Sequence, residues 1–171
     1  QELFDTIFKA RGQKPIVAVA NSLAASAAYH IACAADEIVV APGGMVGAIG
    51  VYALHEDASA MVEGMGLKYT FVSAGKFKVE GNSFEPLNAE AHDAMQAVVD
   101  SYYADFVKAV AKGRGVRTTE VVNGFGEGRT LKDSDAVRAG LADRIGTLDA
   151  TIQRMLSGKK FGKGNGASAT D

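Results

Sequence analysis

A chain of 171 residues with a net charge of −2 is long enough for one sizeable core, and its mixed charges present no basic surface for nucleic acid or an anionic membrane. The single cysteine, Cys33, excludes an intrachain disulfide and a thiolate zinc cluster; in an Ala-rich apolar segment it reads as a small core residue. Residues 16–35 lack Asp, Glu, Lys and Arg over a length that matches a membrane span, but Asn21, Ser22, Ser26 and His30 interrupt them, so a strand and a buried helix are expected there and no span.

In chain order, residues 2–11 read as a helix stopped by Gly12. A strand at 15–20, a helix at 24–35 and a strand at 37–41 follow, then a turn at Pro42-Gly43-Gly44. Residues 45–53 are apolar and Gly-spaced, and read as an irregular strand or loop. A helix over 56–65 stopped by Gly66 precedes a strand at 67–73 and a polar loop at 74–87. Asn88 is a good N-cap for the clearest helix, 89–112, whose apolar stripe is Met95, Val98, Val99, Tyr102, Phe106 and Val110, with Gly113 as its stop. Short helices near 118–123 and 133–139, a strand-like piece at 141–145 and a helix at 148–156 complete the pattern. The expected domain is 1–156, and the Gly/Lys/Ser-rich tail over 157–171 reads as disordered. Repeated strand–helix–strand order predicts an α/β domain of βαβ units with a largely parallel sheet.

Ser26 lies where the strand at 15–20 gives way to the Ala-rich segment. A hydroxyl at such a junction stands beside unpaired backbone N–H groups, a place suited to an acyl-transfer nucleophile. Locally, a helix-start serine in a small-residue packing seam is the simpler reading. No histidine makes a convincing base. His30 is one helical turn after Ser26 without an evident orienting carboxylate, His55 follows the apolar segment, and His92 sits in the first turn of the long helix. Lysine can replace histidine if burial or a nearby cation lowers its pKa. The loop after 67–73 offers Lys76 and Lys78, the second flanked by Phe77 and Val79; two solvated loop lysines are the simpler local reading. Gly43, Gly44, Gly47 and Gly50 lack the context of a phosphate loop and suit close backbone approach instead. The carboxylates show no metal-ligand spacing, and neither metal nor cofactor is expected.

Taken together, these segments resemble the signal peptide peptidase A family of serine peptidases, which has the ClpP/crotonase-like fold. Lys14-Pro15-Ile16-Val17-Ala18 followed by Ala24-Ala25-Ser26-Ala27-Ala28-Tyr29 is similar to the family's nucleophile segment, A-A-S-G-G-Y. Asp36-Glu37-Ile38-Val39 and the run from Pro42 to Val51 resemble the next strand and the glycine segment. Ala74-Gly75-Lys76-Phe77-Lys78 resembles the loop with the catalytic lysine, and residues 136–145 resemble the closing helix–strand unit. Lys78-Val79-Glu80-Gly81-Asn82 is most similar to the phage branch, the protein C-type head maturation proteases.

The resemblance implies a Ser-Lys dyad of Ser26 and Lys78, with the Ala27 N–H as an oxyanion donor. It also implies that the segment with Gly47, Ala48, Ile49 and Gly50 takes substrate backbone as an added strand. Homo-oligomers with sites shared between subunits, and scaffold or portal-associated substrates inside a prohead in the host cytoplasm, are further implications. One departure is Ala27-Ala28 in place of Gly-Gly, which keeps both N–H groups but adds two methyls. The chain starts at Gln1, and the family's upstream Gly-Gly loop, source of a second oxyanion donor, is expected to lie outside it along with the N-terminal part of the fold. A non-catalytic assembly module, a membrane-associated or periplasmic bacterial signal-peptide-degrading peptidase and a crotonase-type acyl-CoA enzyme stay open as alternatives; the last shares the fold, but its adenine pocket and acidic residues cannot be placed.

Overall fold

A ribbon of paired strands, bent once, carries the chain through its first fifty residues. The computed structural model describes residues 1–158. After α1 (Glu2–Lys9) come β1 (Val17–Ala20), β2 (Leu23–Ala25), α2 (Ala27–Ala32), β3 (Glu37–Val40) and β4 (Met45–Gly47). The chain continues with α3 (Ser59–Gly64), α4 (Ala89–Arg114), α5 (Thr118–Gly124), β5 (Thr130–Lys132), α6 (Asp133–Arg138), β6 (Arg144–Ile145) and α7 (Leu148–Leu156).

β1 pairs in parallel with β3 and β2 in parallel with β4, so one strand pair serves two sheets. The pairing runs on through the bend: the Ala41 N–H donates to Ala20 O (2.9 Å) and the Met45 N–H to Ser22 O (2.8 Å). The corner needs Gly44, where a Cβ would sit 2.9 Å from Ala41 O and 3.1 Å from Val40 Cγ2. β6 extends the first sheet in parallel, giving the order β1-β3-β6, and β5 joins the second antiparallel, giving β2-β4-β5. The α/β class and the largely parallel pairing agree with the sequence reading; the division into two three-stranded sheets does not follow from it.

Within the 1–156 stretch read as one domain, the structure divides into two compact units. The first comprises Gln1–Gly50 and the chain from Tyr103 onward. Its core gathers Phe4, Tyr29, Ile38, Val40, Val46, Val110 and Leu141, all buried. Several polar groups inside this core are paired. The Arg114 guanidinium makes a two-pronged bond to Asp143 (2.7 and 2.9 Å) and donates to Gly140 O, while Asp143 also accepts the Ile38 N–H at 2.7 Å. Burial works against the charge of Arg114, but the hydrogen bonds and charge of Asp143 more than restore it and hold the guanidinium above its ordinary pKa. Arg11 donates to the carbonyls of Cys33, Ala34, Ala35 and Gly113, gathering the end of α2 and the end of α4 onto one side chain. Glu37, buried on β3, pairs with Arg144, which also donates to Thr151 Oγ1 on α7.

The second unit, Val51–Tyr102, holds α3, the lysine loop and the first half of α4. Tyr69 and Phe71 set their rings against Phe84 at centroid distances of 4.4 and 6.3 Å. The strand expected at 67–73 is absent: the segment alternates correctly, but no strand among the described residues offers it a ladder.

Several boundaries differ from the sequence reading for physical reasons. The helix expected over 24–35 splits, because residues 23–25 find β4 as a partner and only 27–32 turn into helix. Alanine favours helix, but the ladder to β4 decides. Asn88 caps α4 as expected, its Oδ1 accepting the Ala91 N–H at 2.9 Å. Gly113 does not stop that helix. It lies inside, buried, where a Cβ would meet Cys33 O at 2.2 Å, and Gly115 at φ +60 follows the end instead. On the apolar stripe Phe106 and Val110 are buried, whereas Val98 and Tyr102 are exposed. From 159 on, the expected tail lies outside the described residues; Ser157 forms the C-cap of α7. No helix among the described residues is long and apolar enough to cross a membrane.

Two stability measurements check this packing. Gly113→Ala is expected to cost about 1–3 kcal/mol, since its new methyl must push α4 away from Cys33. Arg114→Met strands a buried carboxylate and is expected to cost about 3–5 kcal/mol. Chemical denaturation of each variant beside the unaltered chain reads both values.

Candidate functional site

Ser26 occupies the single residue between β2 and α2, at φ 52 and ψ −121. A non-glycine residue in such a region costs about 1–3 kcal/mol and persists only where its surroundings over-determine it. Here the Ser26 N–H donates to Gly47 O at 2.8 Å, and Ser26 O accepts the His30 N–H at 2.9 Å. The side chain is exposed. Ala27 opens the helix, so its N–H is among the first-turn donors that no intrahelical carbonyl takes.

Gly47 and Ala48 also have positive φ, +118 and +53. Gly47 is obligatory, since a Cβ there would stand 2.9 Å from Arg129 O and 3.0 Å from Leu141 Cδ2. The Ala48 N–H donates to Arg129 O at 2.9 Å, continuing the ladder of β4 with β5 by one residue. β4 is therefore the middle strand of its sheet, with neighbours on both edges. This narrows the expectation that 45–53 receives substrate as an added strand: the ladder takes up 45–48, and Ile49 and Gly50 are the first residues past it. Ile49 is buried, and Gly50 approaches Gly128 Cα so closely that a Cβ would lie 3.4 Å away.

The lysine loop belongs to the second unit. Lys76 Nζ is bonded to Glu90 at 2.8 Å and lies 4.3 Å from the centroid of its neighbour's ring, Phe77. Lys78 is exposed, and among the described residues its ammonium pairs with no carboxylate. Its backbone N–H closes the turn onto Gly75 O at 3.2 Å, with Gly75 at φ +98. Of the two loop lysines, Lys78 is the one with an uncommitted side chain.

The histidines have other duties. His30 lies between Phe4 and Phe106, with ring centroids 5.5 and 5.1 Å away, and its buried Nε2 has no hydrogen-bond partner. Burial pushes this imidazole below its ordinary pKa. His55 Nε2 bonds Asn82 O at 3.0 Å, and His92 is exposed beside Asp93. Cys33 is buried and free, its thiol pushed up by burial to about 12, which makes it a core residue as expected and a poor nucleophile.

Two contributors escape a reading of the sequence. β5 and the loop before it, where Gly126, Glu127 and Gly128 have φ of 84, 48 and 91, flank the glycine segment. Only the glycine spacing hints at that loop. Leu141, buried, packs against Gly47 and accepts the Tyr29 hydroxyl through its carbonyl at 2.9 Å.

The backbone as a whole is similar to that of a solved structure, the membrane-bound stomatin-specific protease 1510-N in a mutant form bound to a substrate peptide. The TM-score is 0.51 at 16% identity, over 98% of this chain and 65% of that one. The fold is thus the ClpP/crotonase-like α/β fold. Residues 9–162 match Peptidase family S49, and the chain belongs to that family. Among its relatives, the head-tail preconnector protein GP5 of Enterobacteria phage P21 is 33% identical over 151 residues, 88% of this chain and 30% of that protein. The capsid assembly protease C of Escherichia phage lambda is 30% identical over 152 residues, 88% of this chain and 34% of its own length. The chain spans about a third of each of these two phage proteins.

The environment of His30 gives a pH signature. Its folded form binds a proton less readily than the unfolded chain, so stability is full above the ordinary imidazole value of about 6.5 and falls as acid protonates the unfolded state. Unfolding midpoints taken from about pH 7 down to about pH 5 should fall more steeply for the unaltered chain than for His30→Phe.

Proposed function

We propose that this chain carries the catalytic core of a serine endopeptidase in which Ser26 is the nucleophile and Lys78 the general base. The observation that carries the reading is the backbone of Ser26, held at positive φ with its hydroxyl exposed and the unpaired Ala27 N–H next to it. In the proposed cycle Ser26 Oγ attacks the substrate carbonyl carbon while neutral Lys78 takes the hydroxyl proton. The oxyanion accepts the Ala27 N–H. As the C–N bond breaks, Lys78 returns the proton to the leaving amine. Water then attacks the acyl-enzyme, giving its proton to Lys78, and Ser26 departs with a proton as the acid is released. Substrate backbone runs alongside Gly47 to Gly50, with Ile49 and Gly50 offering the groups beyond the ladder.

A lysine base must be kept neutral by desolvation or by a nearby cation. Lys78 is exposed in the isolated chain, so bound substrate or a second copy has to exclude water from it. This supports homo-oligomers with shared sites and a peptidase that switches on only when assembled. Together with the phage relatives, it supports a prohead maturation protease that cleaves scaffold or portal-associated proteins within the assembling head. The same exposure of Lys78, with Ala27-Ala28 in place of the family's Gly-Gly, favours one other reading, an assembly module without catalysis.

Ser26→Ala and Lys78→Ala should each reduce processing of scaffold protein by at least about a thousandfold with the fold intact. Lys76→Ala, which removes only the exposed pair with Glu90, should stay within a few-fold of the parent. Gel assays of scaffold cleavage beside circular dichroism read all three. Retained cleavage in either of the first two variants would sink the dyad. Failure of a fluorophosphonate to label Ser26 in the assembled protein would favour the module.

A further inference from the structure

Ser26 adopts a backbone conformation that serine does not favour, and α2, the helix that follows it, has only six residues. So short a helix cannot hold its own orientation; contacts outside it must. One of these is directional. Tyr29, three residues after Ser26 and fully buried, donates its hydroxyl to Leu141 O at 2.9 Å. Burial pushes the phenol pKa up, so the group remains a donor at any ordinary pH. Leu141 has a second contact in the same place: its Cδ2 would lie 3.0 Å from a Cβ on Gly47, the residue whose carbonyl holds the Ser26 N–H. The helix after Ser26 and the strand beside it thus both touch Leu141.

We propose that Tyr29 is a positioning residue for Ser26, its hydroxyl latching α2 to Leu141 so that Ser26 Oγ and the Ala27 N–H keep a fixed register toward a substrate carbonyl. The inference rests on the reading of Ser26 as the nucleophile. Arg11 grips the far end of α2, so the Tyr29 bond matters at its start: an apolar ring of the same shape would fill the space, but dispersion has little directional preference and would hold that first turn less firmly. A hydrogen bond in a dry interior resists that loosening. Removing the hydroxyl also leaves the Leu141 carbonyl unsatisfied, which favours a shift of the helix toward some other donor.

The test is Tyr29→Phe in the assembled full-length protein, with a fluorophosphonate probe at a temperature where every protein is folded. Val121→Ala, a core lesion on α5, serves as the destabilised control. The expected result is a fall of about tenfold in the labelling rate constant at saturating probe for Tyr29→Phe, with probe affinity unchanged and with Val121→Ala labelling at the parent rate. Exchange of the His30 amide, which donates to Ser26 O, should accelerate in Tyr29→Phe and not in the control. Labelling of Tyr29→Phe at the parent rate, or slowed only as much as the control, overturns the latch. If the parent itself is not labelled, the nucleophile reading fails, and the amide exchange alone decides whether Tyr29 orders this junction: acceleration upholds the latch and unchanged exchange overturns it.

Discussion

The buried pair of Arg114 and Asp143 is the constraint on which the rest of the first unit depends. Arg114 comes from the last turn of α4, and Asp143 from the short stretch between α6 and β6. Their bidentate bond holds that stretch against the end of the long helix, and Asp143 simultaneously accepts the Ile38 N–H of β3. Such a pair earns little net stability against its desolvation, but once built it cannot be half removed, because either partner alone would be a buried, uncompensated charge. What it provides is registration. Residues 141–143 are fixed against the first sheet through Asp143 and against the second through Leu141.

The strained residues then gather around that fixed stretch. Ser26, Gly47 and Ala48 all have positive φ, and all lie where β2, β4 and the start of β5 run side by side. Ser26 is held by Gly47, Gly47 is hemmed in by Leu141 and Arg129, and Ala48 is tied to Arg129. Strain at one residue survives because its neighbours are each held from another direction. For the proposed chemistry this would mean preorganisation: donors fixed before substrate arrives need no reorganisation during reaction. Lys78 is held differently. It sits on a turn, exposed, and its loop is anchored by the neighbouring pair of Lys76 and Glu90. In the proposed dyad, a rigid Ser26 and a Lys78 awaiting desolvation would suit an enzyme whose activity depends on what binds to it.

Much of the architecture could be read from residues alone where local chemistry is decisive. Asn88 as a cap, the helix at 148–156, the strand read at 37–41 and found at Glu37–Val40, and the turn at 42–44 follow from propensity, capping and glycine. The candidate site came from motif likeness more than from physics, since local packing equally explains a serine among alanines and a lysine in a polar loop. The misreadings share one cause. Residues 23–25 and 67–73 have contrary propensities, the first helical and the second β, yet the first became a strand and the second did not. A strand exists only if a partner ladder reaches it, and partners are supplied by distant parts of the chain. Gly113 makes the same point: it looks like a helix stop and is a contact surface for the backbone of Cys33.

The sequence by itself determined the class of fold, the order of most elements and the family likeness, and it nominated Ser26, Lys78 and Ala27 as candidates. Short-range preferences and motif spacing are written into neighbouring residues, so no coordinates are needed to read them. Tertiary structure alone decided that the strand pair bends into two sheets, that Ser26 sits between strand and helix at positive φ, that Lys76 is committed while Lys78 is not, and that Tyr29 reaches Leu141 across 112 positions of chain. Each of these depends on a pairing between groups remote in sequence, and only folding reveals which of the many possible partners is met.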